Sequence, residues 1–84
     1  MTEARPGMTP DEVERMRRVS ERFAYPPSMF RYALAAGLNG QPEQAARTLA
    51  RLCRIHPPER CDEGREAWAS LQQRHPALQQ VKWP

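Results

Sequence analysis

Apolar residues in this chain recur at spacings of three and four, and prolines at 10, 26/27, 42, 57/58 and 76 cut that pattern into segments of similar length. Such spacing gathers side chains on one helical face. Proline suits a first helical turn, where its missing N–H has no partner to lose, and it discourages helix in the residue before it. The chain therefore reads as all-α, with helices over about 10–24, 28–38, 42–55 and 61–74. No stretch alternates in the manner of a strand.

In the first helix Thr9 is the expected N-cap and Pro10 the first helical residue, with Asp11 and Glu12 at the positive end of the dipole. Val13, Met16, Val19, Ser20 and Phe23 form its inward face. Ser28 is the expected cap of the second helix, whose inner side carries Phe30, Ala33, Leu34 and Gly37. Asn39 and Gly40 suit a helix end that needs positive φ, and Pro42 starts the third helix. There Ala45, Leu49, Leu52 and Cys53 point inward, while Glu43 and Arg47 support each other across one turn. The fourth helix buries Gly64, Ala67, Trp68 and Leu71. Residues 1–8 read as a flexible lead-in and 9–84 as a single domain. The tail after "HPAL" reads as irregular, with Val81 and Trp83 available to fold back. Helices two and three, with Ala33, Gly40, Ala45, Leu49, Leu52 and Pro57, fit a tetratricopeptide-like unit, hence a pair of antiparallel helical hairpins. One such unit lacks the concave groove that stacked repeats use for peptides.

Size changes the picture, because 84 residues bury a modest fraction of their surface and benefit from a staple or a partner. The formal charge of +3 comes from 13 basic residues, all arginine except Lys82, interspersed with 10 acids. Interspersion without a concentrated basic patch or a recognition motif argues against nucleic acid as a partner. No apolar run is long enough to cross a bilayer, and "MTEARPGMTPDE" lacks the regions of a signal peptide.

Candidate chemistry concentrates in "LCRIHPPERC", Leu52 to Cys61. Cys53 falls near the end of helix three and Cys61 at the start of helix four, about equally far from the Pro57/Pro58 turn, so an antiparallel hairpin makes them face one another. A bridge across so short a loop is worth about 2 to 3 kcal/mol. Three alternatives stay open. Cys53, His56 and Cys61 could ligate a metal, with only the distant His75 as a fourth ligand. Cys61 at a helix N-terminus could be a reactive thiol, although no orienting group accompanies it. Both cysteines could be reduced and buried as small hydrophobes. His56 and His75 both precede proline at helix ends, where imidazolium favours the negative end of the dipole without any catalytic role. No serine, histidine and acid arrangement, glycine-rich phosphate loop or carboxylate pair stands out, so the chain reads as a non-enzyme that needs no cofactor.

Two arginine stripes are candidate contact surfaces: Arg15, Arg18 and Arg22 on helix one, and Arg47, Arg51 and Arg54 on helix three. They could meet phosphates, or they could be solvated faces balanced by Glu14, Glu21 and Glu43. Trp68 reads as core, in phase with Gly64 and Leu71. Trp83 either caps the bundle or docks on a partner.

From Tyr25 onward the chain resembles the C-terminal region of bacterial membrane-bound polysaccharide polymerases and ligases, the O-antigen ligase and protein O-oligosaccharyltransferase group. The residues that carry the likeness are Tyr32-Ala33-Leu34, Asn39-Gly40, the row Ala45, Leu49 and Leu52, the two cysteines about "HPPE", Ala67-Trp68 and the closing Trp83-Pro84. The resemblance implies a small domain on the periplasmic side of a multi-span membrane body. In the family, glycosyl transfer belongs to that body and its large loop, so no catalytic residue carries over. It further implies an oxidising compartment in which a Cys53–Cys61 disulfide persists, and as partners the membrane body, a glycan, a lipid-linked saccharide or an acceptor protein. The rival expectation is a free-standing cytosolic helical adaptor with reduced cysteines.

Overall fold

The structure is a computed structural model and describes residues 3–84. Its elements are four α-helices, α1 (Pro10–Arg22), α2 (Pro26–Leu38), α3 (Pro42–Ile55) and α4 (Pro58–Arg74), followed by a short 3₁₀ turn, η1 (Pro76–Gln80). The described residues contain no strand, and no helix is long and apolar enough to cross a membrane. Each α-helix opens with proline in its first turn, as the punctuation of the sequence predicts.

Helix α2 is the hub. It packs along α1 on one side, most extensively along α3 on another, and against η1. Met29, Tyr32, Ala33, Ala35, Ala36 and Gly37 are all buried on it. An inner stripe of Phe30, Ala33, Leu34 and Gly37 therefore understates the burial, and Phe30 and Leu34 are only partly buried. A helix surrounded by neighbours has no single apolar face, because most of its circumference is interior.

Helix α1 ends at Arg22 and buries Val13, Met16 and Ser20. Val19 and Phe23, expected to face inward, are each 46 % exposed. Ser20, hydrogen-bonded through its Oγ to the Arg17 carbonyl at 2.8 Å, occupies the inward place that the pattern shared with Val19. Phe23 instead stacks beside Tyr25, ring centroids 6.5 Å apart, under the Arg22 guanidinium at 5.4 Å.

Ser28 does not cap α2. Tyr25 occupies the N-cap without a side-chain bond, because Pro26, with φ already set for helix, starts it two residues earlier. By the same logic α4 begins at Pro58 rather than Cys61. Ala67, expected in the core, is exposed, since the first half of α4 runs along the surface. Trp68 and Leu71 turn inward as expected, Trp68 fully and Leu71 in part.

Residues near both ends of the described stretch are tied to α2. The Asn39 side chain accepts from the Met8 N–H at 2.9 Å and donates to the Arg5 and Ala35 carbonyls at 2.9 and 2.8 Å. Met8 is buried and Ala4 packs on the core. Residues 3–8, in the segment expected as a lead-in, meet α2 through these contacts; residues 1 and 2 lie outside the described residues. At the other end Leu78 and Val81 are buried against α2, and the Gln72 amide donates to the Leu78 and Val81 carbonyls at 3.2 and 3.4 Å. A 3₁₀ turn over Pro76–Gln80 carries Leu78 into the core, and residues 81–84 beyond it are irregular, with Val81 and Trp83 folded back on the bundle. Gly37 makes room for the turn, since a Cβ there would stand 2.7 Å from Leu78 Cδ2.

Candidate functional site

Two places gather the residues singled out from the sequence. The first is the elbow between α3 and α4. Cys53 lies in the last turn of α3 and Cys61 in the first turns of α4, and the two form a disulfide with Cα atoms 4.8 Å apart. Pro57 caps α4 in extended conformation, His56 before it is also extended, and this sharp bend brings the two helix ends face to face. With both sulfurs joined to each other, neither is a thiolate for a metal or a nucleophile. His56 is engaged as well, its Nε2 lying 2.7 Å from the Ala24 carbonyl, to which it donates. That bond ties the end of α3 to the α1–α2 turn, a more specific role than a dipole interaction.

Beside the elbow runs an apolar groove of about 470 Å³ between the starts of α2 and α4. Pro26, Phe30, Leu52 and Gly64 line it, with the Arg60–Glu63 ion pair, 2.9 Å, on its rim. Trp83 closes the far side of Gly64, whose Cβ position is 3.1 Å from the Trp83 ring. Trp68 stands at the centre of this aromatic cluster, edge-on to Phe30 at 5.6 Å and tilted against Trp83 at 6.4 Å. Trp83 is therefore packed against the core while part of its surface stays accessible. The indole N–H groups of both tryptophans are buried without a partner among the described residues.

The second place is a cleft of about 170 Å³ between α1 and α3, lined by Arg17, Ser20 and Glu21 of α1, Tyr32 of α2, and Gln44, Arg47, Thr48 and Arg51 of α3. The two predicted arginine stripes do not converge. Arg47 and Arg51 enter the cleft, whereas Arg54 does not. Helix α1 contributes Arg17, which lies between the positions of the predicted stripe. Arg15, Arg18 and Arg22 do not line the cleft; they lie on the side of α1 away from its buried Val13, Met16 and Ser20.

Charge in the cleft is unevenly compensated. Arg17 donates from Nε to Glu14 at 2.8 Å and from Nη1 to Glu21 at 2.6 Å, with a further bond from Nη2 to Glu14. These hydrogen bonds, those to Glu14 foremost, raise the Arg17 pKa, and the bond from Arg17 lowers that of Glu14. Among the described residues Arg47 and Arg51 make no ion pair, and Glu43 forms none with Arg47 across the expected turn. Tyr32 is 3 % exposed and burial pushes its phenol pKa up, so it stands as a neutral O–H donor.

Comparison with protein-family models, curated proteins and solved structures returns no significant match to this chain, so these two places are interpreted from their own geometry.

Proposed function

We propose that this chain is a non-catalytic helical module on the periplasmic side of the bacterial inner membrane, part of a polytopic glycan polymerase or ligase of the O-antigen ligase and O-oligosaccharyltransferase group. The observation that carries the reading is the Cys53–Cys61 bridge. Structural disulfides persist in oxidising compartments and are rare in a reducing cytosol. The residues of the family likeness support it from a second side: the Ala45, Leu49 and Leu52 row is core, Trp68 is core, and Asn39-Gly40 ends α2. The tetratricopeptide-like pairing of α2 with α3 belongs to the same proposal.

In this reading the module positions an acceptor, a glycan or a partner protein near the membrane body, and the chemistry resides in that body. The bridge fixes the start of α4, one wall of the apolar groove, so that a constant surface faces the partner.

The test has two parts. Reading the DNA upstream of this chain should reveal membrane spans in the same frame, and an upstream frame without them contradicts the parentage. Alkylation and mass measurement of denatured, unreduced protein recovered from its native cell should find no free thiol. Two free thiols there favour a cytosolic adaptor instead.

A further inference from the structure

The cleft between α1 and α3 has features that a solvated charged face does not require. Arg47 and Arg51 stand one helical turn apart on α3, a spacing at which like charges repel, and both line the same concavity without a carboxylate between them. Glu21, the acid in the lining, is already held by Arg17 at 2.6 Å. Tyr32, almost fully buried, lines the same cleft, and its hydroxyl makes no hydrogen bond among the described residues. The Tyr32 oxygen is open to the cleft, so its O–H is a donor available to whatever occupies that space.

Size and charge narrow the acceptor. The cleft, about 170 Å³ and open to solvent on one side, accommodates a phosphoryl group. A single carboxylate matches one guanidinium fork, whereas two guanidiniums and a phenol O–H together match the several oxygens of a tetrahedral oxyanion. We propose that this cleft binds an oxyanion of the phosphate or sulfate monoester class, gripped by Arg47 and Arg51 with the Tyr32 hydroxyl as a further donor. Thr48 and Gln44 complete the polar lining, and Arg17, held by Glu14 and Glu21, acts as a fixed wall. The site is independent of the proposed parentage and holds in either compartment.

The test is an NMR titration of the full chain with inorganic phosphate at constant ionic strength, chloride serving as the control anion. Saturable shifts are expected at Tyr32, Thr48 and the Arg47 and Arg51 side chains. The double variant R47Q/R51Q should weaken binding by roughly tenfold or more, the equivalent of one charge-assisted hydrogen bond. The variant Y32F should weaken it less, and R15Q/R18Q, on the opposite side of α1, should leave it unchanged. Thermal melts of each variant check that the fold persists. Unsaturable shifts, equal shifts with chloride, or equal losses in R15Q/R18Q and R47Q/R51Q overturn the site. A second arm uses vesicles containing phosphatidic acid, whose headgroup is a phosphate monoester, against phosphatidylcholine alone: R47Q/R51Q-sensitive binding to the former assigns the oxyanion to a lipid headgroup, and binding of free phosphate alone assigns it to a soluble ester.

Discussion

The two helical elbows on either side of α3 are closed by different means. Between α2 and α3 the helices pack along their lengths, and the turn needs no covalent staple: Gly40 adopts φ 80°, the Gln41 N–H bonds back to the Ala36 carbonyl at 2.8 Å, and the Asn39 side chain donates to the Ala35 carbonyl. Between α3 and α4 the contact is sparse, and α4 starts on Pro57 with no side-chain cap. Across Pro58–Ala67 only Cys61 is buried, so the first half of α4 is held down mainly by the bridge to Cys53, with the half-buried Gly64 resting against Trp83 and Phe30. Where apolar burial closes a hairpin a glycine suffices; where it does not, a covalent bond stands in. For a chain of 84 residues this division is physically reasonable, since its core cannot extend under every element.

The largest expected effect comes from breaking the packed hairpin. Leu49 is fully buried on α3, and Leu49→Ala should lower the free energy of unfolding by about 2 to 5 kcal/mol in denaturant titration. Next comes the stapled hairpin. The double variant Cys53→Ser/Cys61→Ser should cost about 2 to 3 kcal/mol, because the loop closed across eight positions regains its freedom in the unfolded chain. A cost well below that would mean that packing, not the bridge, holds α4. At the glycine elbow, Gly40→Ala should cost about 1 to 2 kcal/mol, a backbone effect alone because a Cβ there meets nothing within 4 Å.

The smallest effect concerns the N-terminal segment that Asn39 anchors. Thr9 and Glu12 form a capping box, and Arg5 pairs with Glu12 at 2.8 Å. The Thr9 backbone N–H, and then Arg5, hold the Glu12 carboxyl below its ordinary pKa. A carboxylate depressed in the folded state adds stability above its unfolded pKa, about 4.3, and that stability is lost as pH falls through the folded value. Glu12→Gln should therefore flatten the acid limb of the stability profile slightly, lowering stability a little at neutral pH and leaving it nearly unchanged at the acid end, when melts are compared across pH 2 to 7 (about the carboxylate range).

Helix-start prolines, the α3 face and Trp68 were legible because each depends on local spacing. Val19 and Phe23 were not, since periodicity defines a stripe but not which of its edges a neighbouring helix covers. Met29 and Tyr32 escaped because α2 is buried nearly all round and its pattern carries no direction. Leu78 had no periodic context at all, being in a five-residue 3₁₀ turn. The cleft suffered similarly: Arg47 and Arg51 were visible as a stripe, but Arg17 and Tyr32 join them only through the packing of α1 and α3 on α2. The capping box is the exception, for Thr9 and Glu12 at a spacing of three announce it in the sequence.

Hydrogen exchange of the oxidised and reduced protein tests the division between the two elbows most directly. Reduction should strip protection from the amides of residues 61–66 in the first half of α4 while those of α2 and α3 keep theirs. Unchanged protection at 61–66, or a uniform loss throughout the molecule, would contradict the role assigned to the Cys53–Cys61 bridge.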